Sequence, residues 1–413
     1  MSGLSPEGPE LKHAPRPTGN ALDAAAVASE KKKTRNIVTL LFTGFIVNGI
    51  VTVILGPVLP ILIARWGLND NQAGAFFPTQ FVGSWLGTLL SSALIARTGY
   101  RLPIGIGYAM LGLGVAGLAS PIKLGALVAC FVFGFGYGLL SPGTNLYIAE
   151  TAGEKRASAL NLVNFTWGIG AVACPALVLF ALRAHHFSIF LWSVTVAGCA
   201  VALIAFLAPW SKESGAGPNA SAESPEEQEV PHVGFILAAL FFIYVGTEQS
   251  TGGWVAALAK RVANGVGTSY TIVPMFFYCG LLIGRGLAPL ALRRIRENNL
   301  VLMALTLAGA GLIVVQRANS VLVMDIGVAM AGLGLASIYP IFIAWLSHWY
   351  GERARKIGGV MFALASLGGA FSPWLVGFVS EQTDSLRIGL LVPLVSVLVM
   401  LALVAVLRRE IHP

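Results

Sequence analysis

Residues 244–254 read YVGTEQSTGGW and lie inside an apolar run from Val233 to about Leu258. Tyr244, Glu248 and Thr251 are spaced i, i+4 and i+7, which puts a phenol, a carboxyl and a hydroxyl on one helix face. A charged side chain in hydrocarbon costs roughly 2.5–3.5 kcal/mol on insertion scales. That face must therefore meet a partner or a water-filled cavity. A carboxyl in such a place is pulled two ways, since burial favours its neutral form and a nearby cation its charged form. It suits a proton taken up on one side of a membrane and released on the other. Arg285, in GLLIGRGLAP, is the second costly group. At 1.5 Å per residue its depth differs from that of Glu248 by about 10 Å, which two extended side chains nearly span. A salt-bridge switch or a substrate clamp is one reading. Snorkelling of the guanidinium to the aqueous edge is the other.

Two more polar faces accompany these groups: Tyr137, Ser141 and Asn145 at i, i+4, i+8, and Asn161, Asn164 and Gly168 at i, i+3, i+7. Asn48, Gln80, Trp167, Gln249 and Tyr339 complete a set of candidate lining residues. Aromatic faces with a few amides and hydroxyls suit a sugar, whose rings stack while its hydroxyls take hydrogen bonds. The bland alternative is that each polar group hydrogen-bonds a neighbouring helix. Trp254 reads equally well as an interfacial anchor, and Asp325 and Glu150 as structural groups near water. Glu150, Glu154 and Glu352 face a choice of loop partners, among them Arg97, Lys155, Arg156 and Arg353, that would gate one end. No phosphate loop, His-Glu-x-x-His or Gly-x-Ser-x-Gly occurs, and the six histidines have no metal-ligand spacing. The expectation is a protein that is no enzyme and needs no cofactor or metal.

The elements that must position these residues are membrane helices. Of 413 residues 56% are hydrophobic, 11% are charged and 48 are glycine, whereas soluble domains carry about 25% charged residues. The net charge of +8 falls in short clusters between apolar runs, which excludes a nucleic-acid partner. Cys130, Cys174, Cys199 and Cys279 all lie in apolar runs and read as buried thiols. Twelve runs are long enough to cross a bilayer: 37–64, 72–96, 102–120, 123–149, 158–182, 187–209, 233–258, 268–292, 299–316, 320–347, 357–380 and 387–407. Residues 1–35 read as a disordered polar tail, and 211–232 as a flexible linker between bundles at 36–210 and 233–410. With both termini in the cytosol, 19 of the 27 Lys and Arg lie on that side, 7 on the other and Arg285 within a span.

The halves repeat. At an offset of 198, Gly134, Gly136, Pro142, Gly153 and Glu154 meet Gly332, Gly334, Pro340, Gly351 and Glu352, and Gly170 and Pro175 meet Gly368 and Pro373. At 197, Gly83, Gly87 and Arg97 meet Gly280, Gly284 and Arg294. Spans 1, 4, 7 and 10 hold most of the polar residues, and spans 3, 6, 9 and 12 are nearly bare. ARTGYR (96–101) resembles the loop signature of the major facilitator superfamily, with Arg97, Gly99 and Arg101 in place and Ala96 where that family usually has Asp. GIGAVACP (168–175) resembles its fifth-helix motif. YVGTEQSTGGW, GFGYGLLSPGTN and GLLIGRG are most similar to the fucose–galactose–glucose:proton symporter branch.

The resemblance implies an all-α membrane protein of twelve helices in two pseudo-symmetric six-helix bundles. It implies a secondary transporter of a small polar solute, a sugar, working by alternating access in the cell membrane. Expected partners are the solute, H+ or Na+, and the bilayer, with the chain a monomer. Expected residues are Glu248 and Arg285 for coupling and Arg97, Arg101, Glu154 and Glu352 for gating. Export of an amphipathic compound or lipid, or a sensor of the same fold that moves nothing, are the other readings.

Overall fold

The computed structural model describes residues 19–210, 231–265, 267–350 and 354–411. Span 1 is α1 (Gly19–Val53) continued by α2 (Leu55–Trp66); α3 (Asp70–Gly74) is a short turn beyond it. Spans 2 to 6 are α4 (Phe76–Thr98), α5 (Arg101–Gly117), α6 (Lys123–Ala152), α7 (Arg156–Arg183) and α8 (Phe187–Leu207). Spans 7 to 9 are α9 (Pro231–Val262), α10 (Val273–Leu292) and α11 (Glu297–Arg317). Span 10 is divided into α12 (Val321–Leu335) and α13 (Ile338–Tyr350). Span 11 is α14 (Ala354–Thr383), and α15 (Leu386–Gly389) leads into α16 (Leu391–Ile411), span 12. Ten of these are long and apolar enough to cross a membrane outright, and α4 and α5 complete the twelve. The first helix begins at Gly19, inside the segment expected to be tail. The rest of that tail and the 211–230 stretch lie outside the described residues.

Proline explains the two divided spans. It has no N–H and its ring meets the carbonyl four residues back. Pro57 therefore breaks the helix near Val53, where α1 gives way to α2 at Ile54. Pro340 does the same to Ala336, and span 10 is interrupted at Ala336–Ser337.

The sequence repeat reappears as repeated packing. A Cβ on Gly134 would press on the Gln80 carbonyl, and one on its repeat mate Gly332 on the Phe277 carbonyl. Gly83 and Gly280 face the carbonyls of Phe131 and Ala329 in the same way. Gly170 lies on Ile46 of span 1, and Gly368 on Phe242 of span 7. Spans 2 and 4, 8 and 10, 1 and 5, and 7 and 11 thus touch backbone to backbone, as small residues allow between membrane helices. Gly134→Ala and Gly332→Ala should each destabilise the fold by about 1–3 kcal/mol through overpacking, read as a lower thermal midpoint in detergent. Gly286→Ala is the control, because nothing lies within 4 Å of its added Cβ; equal midpoints for all three would sink the account.

Large apolar side chains such as Phe180, Leu207, Leu322 and Phe235 stay exposed on the outside of the bundle, as a lipid-facing surface requires.

Candidate functional site

The site forms midway along the bundle, where the two halves meet. Glu248 on α9 is buried, with 7% of its surface exposed. The Tyr244 hydroxyl, one turn earlier on the same helix, lies 2.8 Å from Glu248 Oε2 and 3.1 Å from the carbonyl of Leu335, the last residue of α12. Arg285 Nη2, from α10, is 3.8 Å from the same Glu248 oxygen. The expected face of span 7 and the expected arginine of span 8 are therefore one cluster, with Arg285 turned inward rather than out to the aqueous edge. Arg285 also lies over the ring of Trp167 from α7, 5.4 Å from its centroid, and its Nε has no hydrogen-bond partner. A guanidinium over an aromatic face, with one donor unspent, is an arrangement that favours planar or hydroxyl-bearing groups.

Aromatic rings wall this cluster. Tyr278 of α10 meets Trp167 edge to face at 6.4 Å. Tyr339 of α13 lies 5.5 Å from Tyr244 and 5.4 Å from Phe241. Tyr137 of α6 shares a hydrogen bond with Ser141 and feels the charges of Glu248 and Arg285. The first half thus contributes Tyr137 and Trp167, and the second half everything charged.

The other expected lining residues lie apart or do structural work. Trp167 Nε1 donates to Thr52 Oγ1 at 2.9 Å, and Gln80 Nε2 to the Thr52 carbonyl at 3.2 Å, so Thr52 ties spans 1, 2 and 5 together. Asn145 and Asn164 donate to carbonyls of their own helices, Ser141 and Leu160, both at 2.9 Å. Asn48 is fully buried in the first half with both side-chain atoms unpaired. Gln249 is half-buried with no hydrogen-bond partner among the described residues.

One expectation is corrected. Trp254 is no interfacial anchor: it is fully buried, donates to the Pro373 carbonyl at 2.8 Å and packs on Phe77. Glu150 has no arginine partner among the described residues; it accepts from Tyr100 at 2.6 Å, and burial together with that carboxylate pushes the Tyr100 phenol well above its usual range. Arg101 donates to the Phe206 carbonyl of its own half, and Arg97 is exposed with no ion pair among the described residues. The Glu154 side chain and all of Glu352 lie outside the described residues.

A latch at the end of the bundle opposite the termini has no signature in the local sequence. Asp70 on α3 pairs with Arg261 at 2.5 Å, accepts from Ser380 and donates its own N–H to Glu381 at 3.1 Å. Lys260 reaches the Pro60 carbonyl at 3.2 Å beside it. Hydrogen bonds and ion pairs cross between the halves at this end. Polar contacts hold the two halves together at this end.

The sequence profile of the Major Facilitator Superfamily matches residues 41–315. The chain belongs to that superfamily. It is a multi-pass integral membrane transporter and not an enzyme. Relatives include the glucose/mannose transporter GlcP of Bacillus subtilis, 20% identical over 375 residues, covering 86% of this chain and 91% of that one. The human sodium-dependent glucose transporter 1 is 21% identical over 387 residues, covering 84% and 74%. Among solved superfamily members, a bacterial homolog of the lysosomal transporter Spinster, in an inward-facing and unoccupied conformation, superposes with a TM-score of 0.70 at 14% identity, covering 91% and 97%. A D-xylose–proton symporter gives 0.69 at 16%, covering 88% and 96%. At these identities the structures speak for the fold.

Proposed function

We propose that this transporter carries a sugar or a closely similar polyol by alternating access, and that a proton bound at Glu248 drives it. The observation that carries the reading is one buried cluster at the junction of the halves. Glu248, held by Tyr244 and 3.8 Å from Arg285, is walled by Trp167, Tyr278, Tyr339 and Tyr137. The rings offer flat stacking surfaces, Arg285 an unspent donor, and Glu248 a group that can change charge inside the membrane. The relatives, named as glucose/mannose and sodium-dependent glucose transporters, support the same solute class.

Uptake of labelled monosaccharides into proteoliposomes tests this directly. Accumulation under an inward-directed pH gradient is the expected result. Accumulation that follows a sodium gradient and ignores pH would overturn the proton reading, and no monosaccharide uptake would overturn the solute class.

In the proposed orientation both termini face the cytosol of a cell-membrane protein, as the charge bias supports. The end held by the Asp70–Arg261 latch is then the outer one, as in an inward-facing arrangement. A Cys placed at Ser221 should resist an impermeant thiol reagent in intact cells and react after lysis. Labelling before lysis would reverse the orientation.

A further inference from the structure

The Tyr244 hydroxyl has one proton and two acceptors in reach, Glu248 Oε2 at 2.8 Å and the Leu335 carbonyl at 3.1 Å. That carbonyl ends α12, at the break that Pro340 imposes on span 10. Carbonyls in the last turn of a helix need partners from outside it. Tyr244 therefore joins the ionisable group of span 7 to the hinge of span 10.

We infer that Tyr244 is a positioning residue that reads the charge of Glu248 and passes it to the span-10 break, an inference that rests on the proton-coupled reading above. With Glu248 ionised, the carboxylate is the stronger acceptor and holds the Tyr244 proton. The Leu335 carbonyl then loses its partner and the break is loose. When Glu248 takes a proton from water, the new carboxylic O–H becomes a donor. It donates to the Tyr244 oxygen, and Tyr244 turns its own proton to the Leu335 carbonyl. No proton passes through the phenol; the net change is one proton gained by Glu248 and one hydrogen bond reversed in direction. Protonation thus pins the end of α12 to α9 and fixes the break from which α13 departs, and deprotonation frees that break.

The surroundings leave Glu248 as the group that switches. Arg285, which also approaches the Tyr244 oxygen as a donor, and Tyr278 face it from α10, Tyr137 from α6 and Tyr339 from α13. From α14, Gly368 and Ser372 lie against α9 and carry no ionisable group. Trp167 of α7 completes the wall over Arg285. The second acceptor is specific to Tyr244: the ring is 1% exposed and cannot be served by water instead.

The test uses the full-length transporter with the four native cysteines replaced by Ala and spin labels at Phe235 and Ser347. These are exposed positions on α9 and α13 toward the end carrying the termini. The distance distribution between the labels is measured across pH, and the carbonyl band of protonated Glu248 is followed by infrared difference spectroscopy. The unmodified transporter should shift its distances with pH, and Glu248→Gln should lose the shift and the band together. Tyr244→Phe should keep the band and lose the distance shift. A distance shift that persists in Tyr244→Phe while Glu248→Gln abolishes it overturns the relay and leaves the coupling reading standing. A shift that persists in Glu248→Gln overturns the coupling reading itself. Loss of the carbonyl band in Tyr244→Phe also counts against the relay, because it places Tyr244 in proton binding rather than in its transmission. Pro340→Ala gives the second route should Tyr244→Phe not fold. An N–H at position 340 lets the helix close on Ala336, so the distance shift should vanish with the band intact, and an undiminished shift overturns the relay.

Discussion

Glu248→Gln brings solute accumulation under an inward-directed pH gradient down to simple equilibration while leaving counterflow exchange in place. Gln has the shape of Glu and can still accept from Tyr244, so the binding surface is kept. What it lacks is a charge to gain and lose. A carrier without a coupled ion has no coupling free energy to spend and settles at an inside-to-outside ratio of about one. Counterflow needs only binding and exchange on the two faces, and those depend on the rings and on Arg285. Arg285 loses its charged neighbour in the variant, but its side chain is 24% exposed, so water takes up part of the loss. The measurement is labelled-sugar accumulation and counterflow in the same proteoliposome preparation. Accumulation in the variant with an unchanged pH dependence would remove Glu248 from the coupling role.

Arg285→Lys is expected to lower initial uptake by about tenfold or more at matched reconstitution. One charge-assisted hydrogen bond is worth about 1.5–3 kcal/mol, and each 1.4 kcal/mol is about a factor of ten. The guanidinium lies over the Trp167 ring, approaches Glu248 and Tyr244, and keeps Nε unspent. An ammonium is a compact point charge and cannot serve a ring face and two acceptors with fixed geometry. It does preserve the positive charge, so the variant isolates shape from charge. The comparison variant is Trp167→Phe, which keeps an aromatic face and removes the donor to Thr52; it should cost less than Arg285→Lys. Near-normal uptake by Arg285→Lys rules against a clamp.

Much of this was legible in the sequence, and what was not has a physical reason. The i, i+4 spacing of Tyr244 and Glu248 fixes their contact, because a helix brings such positions onto one face. Glycines at a constant offset marked the seams, since a Gly inside a membrane helix is most useful where another backbone comes close. The approach of Arg285 to Glu248 was within reach of depth counting but needed the packing of α9 against α10 to settle its direction. Tyr278 and Thr52 could not be found from the sequence. A lone tyrosine or threonine in an apolar run carries no mark of which neighbour it faces, and Thr oxygens usually satisfy themselves on their own helix. Trp254 sat at the depth of an interfacial tryptophan, and only the approach of Pro373 shows that it points inward. The Asp70–Arg261 latch joins residues far apart in the chain and on opposite halves, so no local pattern announces it.

The placement of charge bears on how fast such a molecule can work. Glu248 and Arg285 both belong to the second half, and the first half presents to them the neutral rings of Trp167 and Tyr137. In the scaffold repeat Arg285 answers to Thr88, so a symmetric frame holds an asymmetric distribution of charge. Drawing apart two unit charges that lie about 4 Å from each other costs about 4 kcal/mol at an effective dielectric constant of about 20. Rocking of one half against the other leaves the central pair together as passengers on the same body and incurs no such cost. The opposite charges that must separate are Asp70 and Arg261, and they sit at the rim, where the arginine side chain is 44% exposed and water can replace its partner. The activation barrier to turnover is then set by ring contacts and an ion pair that water reaches from its arginine side, and added salt should lower it at the rim without touching the centre.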